Sequence, residues 1–279
     1  MGSELIKRGV DLPDHIWSAH ANINFPNLVK NIHADYIKAG SKIIVANTFR
    51  TTPRAFKKTG LSFKSATKQA YESLTQAIQL AKEASNDSIT ILGSIAPLED
   101  CYKPELFPGK KIAENEFELI IDCLIDSNVD GIILETKNNL DETQTILNIL
   151  SHHSVPTYVS HYLASSKFLP FTNQINNIIT LSKNYDIHAL LFNCMPINRM
   201  NKIVNRTMNE FQGLWGLYPN LGIGDPAPDG KIINTISNEK FLKLIDKSIN
   251  KGAQIIGACC GSSPKHIKLL KNIYNAKNY

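Results

Sequence analysis

The sequence has no apolar run of the roughly 18 residues that are needed to cross a bilayer, and its start, MGSELIKRG, lacks the apolar core of a signal peptide. It also has no basic cluster. The 30 Lys and Arg residues behind the net charge of +5 are spread singly along the chain, and KKT at Lys57 is the densest group. These absences argue against membrane, secreted and nucleic-acid-binding proteins. We therefore expect a cytoplasmic globular protein.

Cysteine is scarce as well, with five residues in 279, and the number is odd. Two of the five, Cys259 and Cys260, are adjacent. Such a set does not form the disulfide framework of a small secreted protein. Metal binding or catalysis is therefore the better explanation for these residues.

The chain is rich in short, nearly continuous apolar runs with many β-branched residues, which are typical of strands buried on both faces of a parallel sheet. We predict seven strands from these runs: SKIIVANT from Ser41, SITILGSIAP from Ser88, GIILET from Gly131, PTYVSHY from Pro156, HALLFNC from His188, GLWGLYPN from Gly213 and AQIIGACC from Ala253. No GxGxxG turn follows any of them, which disfavours a dinucleotide-binding sheet.

Segments with helical periodicity separate these runs. One begins at Pro26 and ends at Gly40, and the last begins with Ser263 as its cap and Pro264 at its first position. Strands that alternate with helices predict a parallel sheet covered by helices. We predict one α/β domain over residues 1–279, a (β/α)8 TIM barrel, for which about 250 residues is typical. Because seven strands are visible, we expect the first strand to be missing or truncated, upstream of Met1.

Reactive residues follow the strands at their carboxyl ends, the face on which parallel barrels build active sites. Cys194 follows one strand, and Cys259 and Cys260 end the last, so we expect their sulfurs to meet near the barrel axis. Three thiolates with one open coordination position are typical of a catalytic zinc site. A lone buried cysteine is more often a small hydrophobic residue. We interpret Cys123, on a helical apolar stripe, as a core residue and Cys101, in a loop, as incidental.

The segment IGACCGSSPKHI resembles the double-cysteine signature of the homocysteine S-methyltransferase family, and FNC, which ends in Cys194, resembles that family's first zinc-ligand motif. The similarity continues in order through WSA at Trp17, HADYIKAG, ANTF, GSIAP, LET at Glu135 and YPN at Tyr218. It implies a (β/α)8 barrel that holds Zn²⁺ and converts homocysteine and a methyl donor to methionine. WSA further resembles the branch that uses S-methylmethionine or S-adenosylmethionine.

The resemblance also implies how the amino acid is bound. Glu135 would grip the amino group of homocysteine and Thr48 would help to hold the molecule, although a rim salt bridge and a bond to the backbone remain as alternatives. Asn193 is a further candidate substrate contact, whereas YPN at Tyr218 equally favours a turn. His161, also at a strand end, fits a hydrogen-bonding role in the core better than metal ligation.

Departures from the family pattern leave the methyl donor open. The family's Asp-Gly pair, on its first strand, would precede Met1, and the segments SHYLASSKFLPFTNQ and LGIGDPAPDG differ from the usual forms. Two other functions therefore remain. One is the homocysteine-binding zinc module of a corrinoid-dependent methionine synthase, and the other is a degenerate barrel without turnover. Composition and spacing do not give the oligomeric state.

Overall fold

The computed structural model describes residues 1–164, 170–206, 211–227, 230–232 and 234–277. In these ranges seven parallel strands form one sheet whose spatial order follows the chain. The strands are β1 (Ile43–Val45), β2 (Thr90–Ile95), β3 (Gly131–Lys137), β4 (Thr157–His161), β5 (Ala189–Asn193), β6 (Leu214–Tyr218) and β7 (Ile255–Ile256). Each coincides with one of the seven apolar runs, so the strand prediction is confirmed.

Helices precede the sheet and separate its strands. They are α1 (Gly2–Lys7), α2 (His20–Asn24), α3 (Pro26–Ala39), α4 (Pro53–Lys57), α5 (Phe63–Ala84), α6 (Lys110–Asp126), α7 (Leu140–Leu150), α8 (Phe171–Lys183), α9 (Ile197–Arg206), α10 (Asn238–Asn250) and α11 (Pro264–Lys277). The predicted helix from Pro26 ends where expected, because Gly40 follows it with φ of 118°, in the left-handed region that favours glycine. Within the described ranges, no helix is both long and apolar enough to cross a membrane.

The two edges of the curled sheet are β1 and β7, so an eight-stranded closed barrel is not shown; the architecture is a seven-stranded parallel half-barrel. The helical layer nevertheless bridges the two edges, because α11 packs on α3. The contact is close enough that a Cβ on Gly40 would lie 2.6 Å from Cδ of Lys271. Helix α1 joins the same region, since Oγ of Ser3 accepts a hydrogen bond of 2.9 Å from the amide of Gly261.

A buried ion pair fixes the loop that follows β2 to the end of β3 and the start of α7. Nζ of Lys137 donates to the carbonyl of Ala96 at 2.9 Å and lies 3.8 Å from the carboxylate of Glu142, which itself accepts from the amide of Leu98 at 2.9 Å. Both side chains are almost fully buried. Burial lowers the pKa of Lys137 to about 8, while Glu142 acts in the opposite direction. The pair is therefore structural, and it holds two loops at the carboxyl end of the sheet.

Candidate metal centre and substrate site

The alternation of side chains along each strand determines which residues line the inner face of the sheet. A buried apolar layer on this face consists of Leu92, Ile133, Tyr158, Ala189 and Leu191. Because residues two apart share a face, the next layer toward the carboxyl ends is polar. Its members are Ser94, Glu135, Ser160, Asn193 and Tyr218. The polar side chains of the inner face therefore lie at the carboxyl end of the sheet, as the sequence predicted.

Three cysteine sulfurs meet at this end. Sγ of Cys260 lies 3.8 Å from Sγ of Cys194 and 3.9 Å from Sγ of Cys259. Cys194 and Cys259 are joined by a disulfide, with their Cα atoms 5.5 Å apart, whereas Cys101, Cys123 and Cys260 are free. The sequence predicted the meeting of these three residues but not the disulfide. In the described part of the chain, they form the one group of His, Cys, Asp and Glu side chains compact enough to hold a metal ion.

The donor set fits a thiophilic metal in the reduced protein. The three sulfurs lie within 4.8 Å of one another, and three thiolates leave a coordination position for a substrate. The disulfide must first be reduced, because two sulfurs bonded to each other do not serve as thiolate ligands. Burial raises the pKa of the Cys260 thiol to about 11, so without a cation this thiol stays protonated at neutral pH.

The segment that follows β6 holds both cysteine loops in place. The carbonyl of Tyr218 accepts from the amide of Cys194 at 3.2 Å, the carbonyl of Pro219 accepts from Cys259 at 2.8 Å, and the amide of Leu221 donates to Cys260 at 2.9 Å. Cys194 has a φ of 54°, a left-handed conformation that is costly for a residue with a Cβ. The side-chain amide of Asn220 donates to its carbonyl at 2.9 Å and helps to hold that conformation. The segment YPN, residues 218–220, therefore helps to position the loops that carry the cysteines.

Glu135 is the carboxylate of the inner polar layer. Its Oε2 accepts a hydrogen bond of 2.7 Å from Oγ of Ser94, and burial raises its pKa above the usual value, against the effect of that bond. Oγ1 of Thr48 donates to the carbonyl of Ser94 at 2.9 Å and accepts from its amide at 2.7 Å. Thr48 thus makes the backbone bonds that were one of its two predicted roles, and it positions the residue that contacts Glu135.

Asn193 supports Glu135 through the residue that follows it, Thr136. Thr136 has a φ of 57°, which costs roughly 1–2 kcal/mol for a residue with a side chain. Asn193 holds it from both sides, because Oδ1 accepts from the Thr136 amide at 3.2 Å and Nδ2 donates to Oγ1 at 2.8 Å. Oδ1 also accepts from Oγ of Ser160 at 2.8 Å. The structure thus gives Asn193 a positioning role that the sequence did not predict, and direct substrate contact stays a prediction.

The remaining candidates are not part of the sulfur cluster. Cys101 is buried in the loop after β2, Cys123 is half-buried on α6, and His161 is buried on the strand face opposite to Ser160. Burial lowers the pKa of His161 to about 4, so it is neutral at physiological pH. Sequence reasoning missed Ser160 as a member of the polar layer. Its position two residues after Tyr158, on the same strand face, is the signal that identifies it.

A family model described as homocysteine S-methyltransferase matches residues 1–274. Among curated proteins, homocysteine S-methyltransferase of Escherichia coli is 24% identical, with 97% of this chain and 92% of that protein covered. Homocysteine S-methyltransferase 1 of Brassica oleracea var. italica is 25% identical, with 96% and 89% covered. Selenocysteine methyltransferase of Astragalus bisulcatus is 23% identical, with 99% and 91% covered.

Solved structures of the homocysteine methyltransferase MmuM from Escherichia coli are similar to this chain in fold. The metallated form gives a TM-score of 0.80 at 20% identity, and it covers 98% of this chain and 93% of that one. The oxidised form gives a TM-score of 0.81 at 21% identity, with the same coverage. At such low identity the likeness shows the fold alone.

We predict that Asn193→Ala lowers the free energy of unfolding by about 1–3 kcal/mol, because it leaves the buried amide of Thr136 without an acceptor. Urea denaturation measures the change. Asn177→Ala, at an exposed position of α8, is the matched control and should change the stability by no more than about 0.5 kcal/mol. Equal stabilities of the two variants would contradict the role of Asn193.

Proposed function

This chain belongs to the homocysteine S-methyltransferase family, whose model spans residues 1–274, and from that premise we propose that it methylates homocysteine with a sulfonium donor. The donor is S-methylmethionine or S-adenosylmethionine. A bond forms between the methyl carbon and the sulfur of homocysteine. The bond from the methyl carbon to the sulfonium sulfur breaks, and its electrons remain on the departing thioether. The observation that carries the proposal is the meeting of three cysteine sulfurs and the Glu135 carboxylate at the same end of the sheet.

Zinc is the metal that we assign to Cys194, Cys259 and Cys260, since three thiolates with an open position are typical of catalytic zinc. When bound, zinc supplies a Lewis acid that keeps the thiol of the substrate deprotonated at neutral pH and thus nucleophilic. The metallated form of the similar Escherichia coli structure supports a metal at such a site. The contribution of this chain is to hold three sulfurs close together through the main-chain bonds of the segment after β6.

The amino group of homocysteine is assigned to Glu135. A buried carboxylate whose pKa is raised gains from a cation beside it, and the α-ammonium of an amino acid is such a cation. Ser94 orients one carboxylate oxygen, while Thr48 and Asn193 fix the backbone on either side. Direct contacts of Thr48 and Asn193 with the substrate belong to the same proposal.

We also propose that the sheet belongs to a (β/α)8 barrel. Three observations support this fold: the strands follow one another in chain order, α11 packs on α3 across the two sheet edges, and the TM-score to the Escherichia coli methyltransferase is 0.80. Active sites of such barrels lie at the carboxyl ends of the strands, where the cysteines and Glu135 are found.

A panel of methyl donors tests the reaction. We predict that the reduced, zinc-loaded protein forms methionine from homocysteine with S-methylmethionine or S-adenosylmethionine but not with betaine or methylcobalamin, measured by chromatography. Methionine from methylcobalamin alone would identify a module of a corrinoid-dependent methionine synthase. No methionine from any donor would indicate a degenerate barrel. Selenocysteine is included as a second acceptor, because one similar protein is named selenocysteine methyltransferase.

Removal of single sulfurs tests the metal site. We predict that the reduced protein binds about one zinc ion per chain and that Cys194→Ala, Cys259→Ala and Cys260→Ala each lose most of it, because two thiolates make a poor site. Mass spectrometric metal analysis after dialysis gives the content. Cys123→Ala, on α6, is the control and should retain the metal. Full zinc content in Cys260→Ala would overturn the assignment.

Glu135→Gln tests the amino-group contact. We predict that homocysteine binding weakens by about tenfold or more while the zinc content is unchanged, because a charge-assisted hydrogen bond, worth roughly 1.5–3 kcal/mol, becomes a neutral one. Calorimetric titration gives the affinity. Glu118→Gln, at an exposed position of α6, should leave it unchanged. Wild-type affinity in Glu135→Gln would instead make Glu135 a structural residue.

A further inference from the structure

Tyr218 is the last residue of β6, and its main chain and side chain serve different parts of the site. Its carbonyl accepts the amide hydrogen of Cys194 at 3.2 Å and so helps to place one sulfur. Its side chain lies on the inner face of the sheet, packed on the apolar layer that includes Ile133 and Leu191. One residue therefore contacts both the main chain of Cys194 and the apolar interior of the half-barrel.

The hydroxyl oxygen of Tyr218 is buried and makes no hydrogen bond of standard length and angle with a described residue, although the side chains of Glu135 and Ser160 lie beside it. A buried polar group without a partner is rare in native proteins because it loses its bonds to water and gains none in return. Three other buried atoms in the described ranges share this property: His33 Nε2, His161 Nε2 and Trp215 Nε1. His161 and Trp215 face away from the inner layer, and His33 lies on α3. Among these four groups, Tyr218 alone points into the polar layer.

The surroundings of this hydroxyl indicate which ligand group would satisfy it. Glu135 and Ser160 are its polar neighbours. A phenol has an ordinary pKa of about 10, so the hydroxyl of Tyr218 keeps its proton at neutral pH. Glu135 already accepts a hydrogen bond from Ser94. A protonated hydroxyl beside a carboxylate can donate to that carboxylate and still accept a hydrogen bond from a ligand.

A primary ammonium is the ligand group that this arrangement fits. It carries three N–H donors, and no carboxylate alone accepts all three in good geometry. Glu135 supplies the charge, and the hydroxyl of Tyr218 supplies a neutral acceptor next to it. Carboxylates and phosphates are disfavoured in the same place, because they would be buried beside the negative charge of Glu135. The buried α-ammonium of Met1, which interacts electrostatically with Glu135 and Cys260, is a cation of the kind that this place accepts.

We propose that the hydroxyl of Tyr218 accepts a hydrogen bond from the α-ammonium of the amino-acid substrate, beside Glu135, and so selects substrates that carry this group. The inference rests on the proposed function, because it takes homocysteine as the ligand. It goes further in making Tyr218 a residue for substrate specificity. The thiol is recognised at the cysteines, and the amino group is recognised by a carboxylate and a phenol together.

Tyr218→Phe tests the proposal with two ligands that differ only in the amino group, homocysteine and 4-sulfanylbutanoate. In calorimetric titrations of the reduced, zinc-loaded protein, we expect the Kd of homocysteine to rise about ten- to hundredfold, the range for a hydrogen bond to a charged group. The Kd of 4-sulfanylbutanoate should not change. The variant should unfold at about the same temperature as the wild type, because the removed hydroxyl makes no hydrogen bond of standard geometry in the folded protein.

Tyr158→Phe is the matched control, since Tyr158 lies on the same inner face but in the apolar layer. It should bind both ligands as the wild type does. Equal weakening of both ligands by Tyr218→Phe would show that the ring shapes the pocket, and unchanged homocysteine affinity would remove Tyr218 from the substrate site. Either result overturns the inference while the donor panel still stands. A wild-type protein that binds neither ligand would refute the proposed function, and this inference with it.

Discussion

The parallel pairing of β1 to β7 in chain order is the constraint on which the rest of the structure depends. It brings the carboxyl ends of seven separate chain segments to one end of the molecule, and the alternation of side chains then decides which residues face inward. Ser94, Glu135, Ser160, Asn193 and Tyr218 share a layer for this reason alone, although more than 120 residues separate the first from the last. The hydrogen bonds between these side chains follow from the strand register, which places the residues next to one another.

The sequence predicted those parts of the structure that depend on local patterns. Continuous apolar runs identified all seven strands, and the position of three cysteines at strand ends predicted that their sulfurs meet. Apart from the meeting of these cysteines, contacts between side chains that are distant in sequence were not predicted. The left-handed conformations of Thr136 and Cys194, and the amides of Asn193 and Asn220 that hold them, leave no local signal. The same is true of the buried pair of Lys137 and Glu142.

Burial has the same effect on every acid at the site. It raises the pKa of Cys260, Glu135 and Tyr218, while the buried α-ammonium of Met1 acts in the opposite direction on Cys260 and Glu135. A metal ion beside the sulfurs, or the ammonium of a substrate beside the carboxylate, would strengthen that opposing effect by supplying further positive charge.

The two roles of Tyr218 have a consequence for the length of the substrate. Its carbonyl contacts the loop that carries Cys194, and its side chain extends toward Glu135, so the separation of the two recognition points is set by the dimensions of one rigid residue at the end of a strand. A flexible loop would let that separation vary. The strand end instead keeps that separation constant, so the distance between the sulfur and the nitrogen of a bound amino acid matters for recognition.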